Sequence, residues 1–281
     1  MKELDPDAVR RIVDLALAED VGTGDVTSIA TIAEGQTGTG DIVARAAGVV
    51  AGLPVAREVF DAASGRTVAF ESLVDDGAEV ARGAVLATVA GPVRALLTAE
   101  RTALNLLCRM SGVATHTRRW ARALDGTGAT VLDTRKTTPG LRILEKYAVR
   151  VGGGTNKRMG LYDVAMIKDN HKIAAGGVAP AFRAVRARFP DVPVQVEVTT
   201  VAEALEAVEA GATFLLCDNM TPELLREVVA AVDGRAELEA TGGLTLDRAR
   251  EYGSTGVDYL SVGALTHSSP ILDIALDLRT R

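Results

Sequence analysis

Only two cysteines, Cys108 and Cys217, occur among the 281 residues, each in an apolar stretch with no ligand-spaced neighbour. That scarcity argues against a disulfide framework or a zinc site and fits a reducing cytosol. The three histidines, His116, His171 and His267, have no zinc-like partner spacing and no serine or cysteine nucleophile beside them, so structural hydrogen bonding is expected of each. No apolar run approaches the length of a membrane span, and charges interrupt the N-terminal stretch every few residues, so a cytoplasmic protein without a signal peptide is expected. Neither GxGxxG nor GxxxxGK[ST] occurs, which removes the main support for a dinucleotide or ATP-type site. A formal net charge of -6 lacks the basic field that a general nucleic-acid binder needs.

What is present is an ordinary globular composition, 47% apolar and 24% charged, long enough to bury a large core in one large domain or two unequal ones. Asp5-Pro6 is an N-cap followed by a favourable first helical residue, and Val9, Ile12, Val13 and Ala16 recur at helical spacing, so the chain opens with an amphipathic helix. EDVGTGDVTS then reads as an ordered loop. From Gly38 to Leu96 short valine-rich runs punctuated by Gly48, Gly52, Gly77, Gly83 and Gly91 predict a small β-rich domain. Within it, DDGAEVARGAVLATVAGPVRALL resembles the sandwich of biotinyl and lipoyl carrier domains. A carrier needs a lysine on a hairpin tip, and none occurs between Lys2 and Lys136, so only the topology remains. Leu97 to Leu124 predicts a helix linking two domains. Near the end, Ile271, Leu272, Ile274, Ala275 and Leu278 after Pro270 suggest a last helix packing back on the first domain.

The second half alternates six apolar runs with Ala-, Leu- and Glu-rich helical segments: Ala129 to Asp133, Val164 to Ile167, Val194 to Val198, Phe214 to Cys217, Glu237 to Ala240 and Val257 to Val262. Repeated βα units of this kind predict an α/β fold, a TIM-like barrel with all strand ends on one side. The runs stop at Asp133-Thr134-Arg135-Lys136, Lys168-Asp169-Asn170, Thr199-Thr200, Asp218-Asn219, Thr241-Gly242-Gly243 and Gly263-Ala264. Such ends carry the chemistry of barrels.

Between Thr134 and Lys172 nine basic residues face three acidic ones, a local excess of +6 inside an acidic chain. Arg142, Lys146 and Arg150, on the intervening helix, read as a solvated face. Arg135, Lys136 and Lys168, at strand ends, read as ligand contacts. Arginine forks grip carboxylate and phosphate bidentately while lysine supplies a point charge, so the mixture suits a polyanion bearing both. Gly152-Gly153-Gly154, upstream of Asn156-Lys157-Arg158, would let the backbone approach it. Glu197 and Asp218, on consecutive strands, can hold sugar hydroxyls or a divalent metal through water, or neutralise nearby lysines. Gly242-Gly243 and Val262-Gly263-Ala264 offer amides near the last two strands, where barrels of this kind frequently seat a phosphate.

Read in order, AERTALNLL, DTRKTTPGLRILEKYAVRVGGGTNKRMGL, MIKDNH, VEV, LLCDN, TGGL and GVDYLSVGALTHS resemble the quinolinate phosphoribosyltransferase family, of the type II phosphoribosyltransferases. The resemblance covers nearly the whole chain, EDVGTGDVTS included. It implies an incomplete TIM-like barrel of about six to seven strands at 108–267, and an N-terminal α+β sandwich domain at 1–107 with 268–281 packing back on it. It implies a transfer of phosphoribosyl from phosphoribosyl pyrophosphate to quinolinate with decarboxylation, giving nicotinate mononucleotide, with Mg2+ carried by the pyrophosphate and no metal-ligating residue assigned. By the same likeness Arg135, Arg158 and Lys168 hold the quinolinate carboxylates, with Lys157 and Thr134 beside them, and Lys136 reaches the phosphoribosyl side. Glu197 and Asp218 hold ribose hydroxyls, and Thr241, Gly242, Gly243, Val262, Gly263 and Ala264 line the 5'-phosphate site. Lys136, Lys168, Glu197 and Asp218 are the catalytic set. Arg101 is implied to cross into a partner's site, in a homodimer or an assembly built from it. The family commonly carries histidine where Lys157 stands; lysine keeps a donor and gives up a flat, titratable imidazole. Two other readings compete: a paralogue acting on another acid, of the type associated with molybdenum transport, and a non-catalytic anion-binding barrel.

Overall fold

The computed structural model describes residues 4–279. Its contacts divide the chain into two compact units, one holding the chain through Arg118, Thr137–Gly153 and the segment from Thr266 onward, the other Arg119–Lys136 and Gly154–Leu265.

In the first unit, Asp5 caps helix α1 (Pro6–Val21) by accepting from the Asp7 amide, and Pro6 takes the first helical position. The following loop is shorter than its sequence suggests, because Asp25 accepts from the Ser28 amide at 3.0 Å and starts a second short helix, α2 (Val26–Thr31). Two strands follow, β1 (Thr37–Ala44) and β2 (Gly48–Val49). A helix not anticipated in the β-rich stretch, α3 (Leu53–Ser64), comes next. It presents Val55, Ala56, Val59 and Phe60 to the core at helical spacing. Its first amides are met from outside, by the half-buried Asp76, which accepts from Gly52 and Leu53 at 2.8 and 3.0 Å.

Strands β3 (Ala69–Ser72), β4 (Glu79–Val80) and β5 (Val85–Pro92) complete this segment before the long helix α4 (Val93–Ala123), which begins four residues earlier than its sequence predicts. The main sheet has the order β12 (Ile274–Arg279), β1, β5, β3, antiparallel in every pair, and β2 pairs with β4. Its outermost strand, β12, corrects the expectation of a C-terminal helix. Ile274 pairs with Ala44 and Leu278 with Gly40, so the segment does return to the first unit, as a strand.

Helix α5 (Arg142–Val151) also belongs to this unit and overturns the reading of a solvated basic face. Lys146 is fully buried, with Glu145, Ala148 and Val149 beside it. Glu145 accepts from the Arg109 guanidinium at 2.8 Å and from the Thr138 hydroxyl at 2.7 Å. The glycine turn after α5 is a packing device too. A Cβ on Gly152 would sit 2.6 Å from Thr117 Cβ on α4, and Gly152–Gly154 line no cavity described below.

The second unit carries β6 (Thr130–Leu132), β7 (Ala165–Ile167), β8 (Val194–Val198), β9 (Phe214–Asp218), β10 (Glu237–Thr241) and β11 (Tyr259–Ser261). Five helices sit among them: α6 (Asp169–Ala175), α7 (Val178–Arg188), α8 (Val201–Glu209), α9 (Pro222–Val232) and α10 (Ala249–Gly253), with α11 (Ala264–His267) beginning after β11. The strands form one parallel sheet in the order β6-β11-β10-β9-β8-β7. All six runs expected as strands are present, and the incomplete barrel is the α/β fold predicted. The edges β6 and β7 are unpaired with each other; Thr155 makes a parallel bridge to Leu132 instead. Both cysteines are buried thiols, and burial pushes Cys217 up to about 12.

Candidate active site

Strand alternation decides which side chains of the parallel sheet meet. Val196, Leu215, Cys217, Leu238, Ala240 and Leu260 are buried apolar residues at one set of positions. Their neighbours Met166, Glu197, Leu216, Glu239 and Ser261 take the other set and line a cavity of about 290 Å3 near the carboxyl ends of the strands. The adjoining strand-end and loop residues Thr134, Arg135, Lys136, Lys157, Arg158, Lys168, Asp218 and Thr241 complete it. Five cations and three carboxylates therefore converge there.

Each charge is held by a local device. Asp133, fully buried at the end of β6, accepts from Asn156 Nδ2 at 2.6 Å and from the Lys157 amide at 2.8 Å, fastening the loop that delivers Lys157 and Arg158. Arg158 donates to the Val164 carbonyl at 3.1 Å. Burial and then the neighbouring Arg135 guanidinium hold its pKa below the ordinary arginine value. The Lys136 amide donates to Thr134 Oγ1 at 3.0 Å, turning the chain after β6. Lys168, half exposed at the end of β7, reaches Glu197 Oε2 at 3.2 Å, so one of the three alternatives for Glu197, pairing with a lysine, is realised. His171 accepts from the Lys168 amide at 2.9 Å, a structural role for that histidine.

Asp218 ends β9 beside Asn219, whose side-chain amide donates to it at 2.7 Å. Asn219 has φ 54 and its amide donates to the Thr241 carbonyl at 2.9 Å. That arrangement requires glycine at 242: its φ is +93, and a Cβ there would lie 2.6 Å from Asn219 Cγ and 2.9 Å from its backbone nitrogen.

Nine residues expected at the site line the cavity together: Thr134, Arg135, Lys136, Lys157, Arg158, Lys168, Glu197, Asp218 and Thr241. Gly242 and Gly243 form the turn that follows Thr241, and Val262, Gly263 and Ala264 follow Ser261; none of these five is a lining residue. Arg101 stands exposed on α4, in the first unit. Sequence reasoning passed over Met166, Leu216, Ser261 and, most consequentially, Glu239. Glu239 is fully buried and accepts from Lys157 Nζ, from Ser261 Oγ and, at 2.6 Å, from Gln195 Nε2. A carboxylate between Leu238 and Ala240 in a buried run was the available signal, since charged residues are seldom buried without a partner. Burial is the largest influence on Lys157 and lowers its pKa, while Glu239 acts in the opposite direction.

Among the described residues no group of three or more His, Cys, Asp or Glu is placed to hold a metal ion, and no helix is long and apolar enough to cross a membrane. The arrangement can bind a compact polyanion and still offer two carboxylates, Glu197 and Asp218, to hydroxyls or to developing positive charge.

The sequence profiles of the quinolinate phosphoribosyl transferase N-terminal and C-terminal domains match residues 25–111 and 113–277. The chain is 49% identical over 279 residues to a nicotinate-nucleotide pyrophosphorylase [carboxylating] of Mycobacterium leprae (strain TN), covering 97% of this chain and 98% of that one. It is 41% identical to quinolinate phosphoribosyltransferase [decarboxylating] 1 of Nicotiana glauca, covering 97% and 83%. Among solved structures, NadC from Streptococcus pyogenes superposes with a TM-score of 0.96 at 38% identity, with 99% of each chain covered. The nicotinate-nucleotide pyrophosphorylase of Francisella tularensis gives 0.95 at 36% identity, covering 99% and 98%.

Proposed function

The chain belongs to the quinolinate phosphoribosyltransferase family, and we propose that the cavity at the ends of its parallel strands is where it does that family's chemistry. The enzyme is a pentosyltransferase that joins quinolinate to phosphoribosyl pyrophosphate and releases carbon dioxide, yielding nicotinate mononucleotide for NAD biosynthesis. The observation that carries the assignment of the site is the meeting of Arg135, Lys136, Lys157, Arg158 and Lys168 with Glu197 and Asp218 around one hollow.

The substrates account for that charge pattern. Quinolinate brings two carboxylates and the co-substrate a pyrophosphate and a 5'-phosphate, so a net positive cavity is what they need. Arg135, Arg158 and Lys168 grip the ring carboxylates with Lys157 and Thr134 beside them, and Lys136 meets the phosphoribosyl side. Thr241 and the turns Gly242-Gly243 and Val262-Gly263-Ala264 receive the 5'-phosphate. Mg2+ enters on the pyrophosphate, as part of the substrate. The pyridine nitrogen attacks the anomeric carbon as pyrophosphate leaves, and Glu197 and Asp218 favour the positively charged, oxocarbenium-like transition state over the ground state. Once the nitrogen is quaternary, the carboxylate on the adjacent carbon departs as carbon dioxide, leaving its electron pair on a carbon that the positive nitrogen stabilises until that carbon takes up a proton from water. Positioning and fixed charge carry the catalysis, and no side chain acts as covalent nucleophile.

Arg101 completes the same reading. Exposed on α4, it is available to the cavity of a second copy in a cytoplasmic homodimer. Carbon dioxide and pyrophosphate release with quinolinate, and neither with nicotinate, is the product assay that tests the substrate. Arg101→Ala abolishes turnover in an intact dimer, and mixing it with Lys136→Ala restores part of the activity in hybrids that carry one unaltered site. No recovery despite verified subunit exchange would remove the shared site.

A further inference from the structure

We propose that Glu239 is a positioning residue: from beneath the cavity it holds the Lys157 ammonium charged and aimed at one carboxylate of the pyridine diacid. The inference rests on the reading of this cavity as the quinolinate site and adds to it a residue with no assigned role.

Glu239 stands mid-strand on β10, its side chain wholly removed from solvent. One oxygen, Oε1, takes both the Lys157 ammonium and the Ser261 hydroxyl; the other, Oε2, takes the Gln195 amide at 2.6 Å. Three strands and one loop thus converge on a single carboxylate. Gln195 gives a further sign that the carboxylate is deliberately held. The Gln195 amide is buried and its Oε1 has no hydrogen-bond partner, an uncompensated acceptor tolerated while its nitrogen serves Glu239. Lys157 is clamped at both ends, its backbone amide by Asp133 and its ammonium by Glu239, so the long side chain has little freedom left to lose when a ligand arrives.

The charges facing Lys157 act in both directions. Arg158 beside it and Lys168 at the end of β7 disfavour its proton, as does burial, whereas Glu239 supports it. Glu197 and Asp218 share the cavity from β8 and β9, and Glu197 already answers Lys168. Glu239 is therefore an acid whose contact favours the charged form of Lys157 against burial and the neighbouring cations. Without it the ammonium would sit among cations in a dry floor, and neutralisation would follow at lower pH.

The test is Glu239→Gln, which keeps the volume and an acceptor and removes the charge. The expected result is a rise of roughly tenfold or more in KM for quinolinate, the scale of one hydrogen bond to a charged group. KM for phosphoribosyl pyrophosphate stays near its starting value. The alkaline limb of kcat/KM for quinolinate moves to lower pH, and Glu239→Asp recovers part of both effects. Equal losses for both substrates with an unmoved pH profile would mark Glu239 as a packing residue and overturn the proposal. Should Glu239→Gln fail to fold, Lys157→Met and Lys157→Met/Glu239→Gln are compared by thermal melting. Removing both charges should melt higher than removing the lysine alone, which strands a buried carboxylate. A double variant no more stable than Lys157→Met counts against the coupling. Lys136→Ala separates the two levels of inference: if it too is fully active, the cavity assignment fails, and if it is crippled while Glu239→Gln behaves like the parent, only the role of Glu239 falls.

Discussion

At the carboxyl ends of the parallel strands a hollow of about 290 Å3 gathers five cations and three carboxylates, whereas at the amino ends of β8, β9 and β10 a larger hollow, about 600 Å3, is bordered by Arg186, Arg235 and Glu237. Size alone favours the second. The chemistry favours the first, because the two arginines of the larger hollow are engaged with carbonyls of their own neighbourhood. Arg186 donates to Pro190 O at 2.6 Å, and Arg235 donates to Val232 O and Ala231 O at 2.9 and 2.8 Å. They finish local structure near the ends of α7 and α9. In the smaller hollow the carboxylates are distributed to hold lysines in place, Glu197 for Lys168 and Glu239 for Lys157, and the charge pattern spans segments far apart in sequence. A site is recognised by charges converging from separate elements, and a hollow lined by residues serving their own helix ends is a by-product of packing.

The strongest way to break this contrast is to remove one cation from each end. Lys136→Ala and Lys168→Ala should each lower turnover by roughly 10²-fold or more, the scale of losing one preorganised charge donor. Arg186→Ala and Arg235→Ala should leave steady-state rates within about twofold, as surface changes remote from a site do. Comparable losses at both ends would erase the distinction.

The carboxyl-end half of that contrast was legible in the sequence, because strand alternation and the residues at strand ends are local signals. Lys136, Lys168, Glu197 and Asp218 could each be found by asking where an apolar run stops. The features that escaped are non-local. Lys146 lies at helical spacing between Arg142 and Arg150 and looks like a solvent stripe; only the segments packed around α5 bury it. Ile274, Ala275 and Leu278 satisfy a helical spacing as well as a strand, and the choice is made by β1, whose Asp41 pairs with Asp277 across more than two hundred residues of sequence. Glu239 is 82 positions from Lys157, so its importance exists only in the folded pairing. Gly152, in what looked like a ligand turn, permits close packing against α4.

A smaller effect sharpens the comparison through the backbone. Gly242 follows β10 at the carboxyl end and Gly234 precedes it at the amino end, with φ of +93 and +69. A Cβ at 234 meets nothing within 4 Å, while one at 242 collides with Asn219, the residue that donates to Asp218. Gly234→Ala should cost about 1–2 kcal/mol of stability, the penalty of a Cβ in left-handed backbone, and leave activity unchanged. Gly242→Ala should cost about 1–3 kcal/mol, the range for enforced backbone strain, and in addition raise KM for phosphoribosyl pyrophosphate. Denaturant unfolding and initial-rate kinetics on the two purified variants read both quantities. Equal behaviour of the pair would mean that the turn after β10 does not shape the site.

The mildest probe leaves the native sequence largely intact and asks where an anion goes. Inorganic pyrophosphate with Mg2+ should raise the melting temperature, since a ligand that binds only the folded state at a hundredfold excess over its Kd stabilises by about 2.7 kcal/mol. The gain should shrink as salt is added, because much of the attraction comes from partly exposed cations such as Lys168 and Lys136. It should nearly vanish in Lys136→Ala and persist in Arg235→Ala. The larger hollow offers guanidinium groups already donating to Pro190, Val232 and Ala231, so an anion entering there would have to displace those bonds before gaining its own. A melting shift lost in Arg235→Ala and kept in Lys136→Ala would reverse the assignment of the two ends.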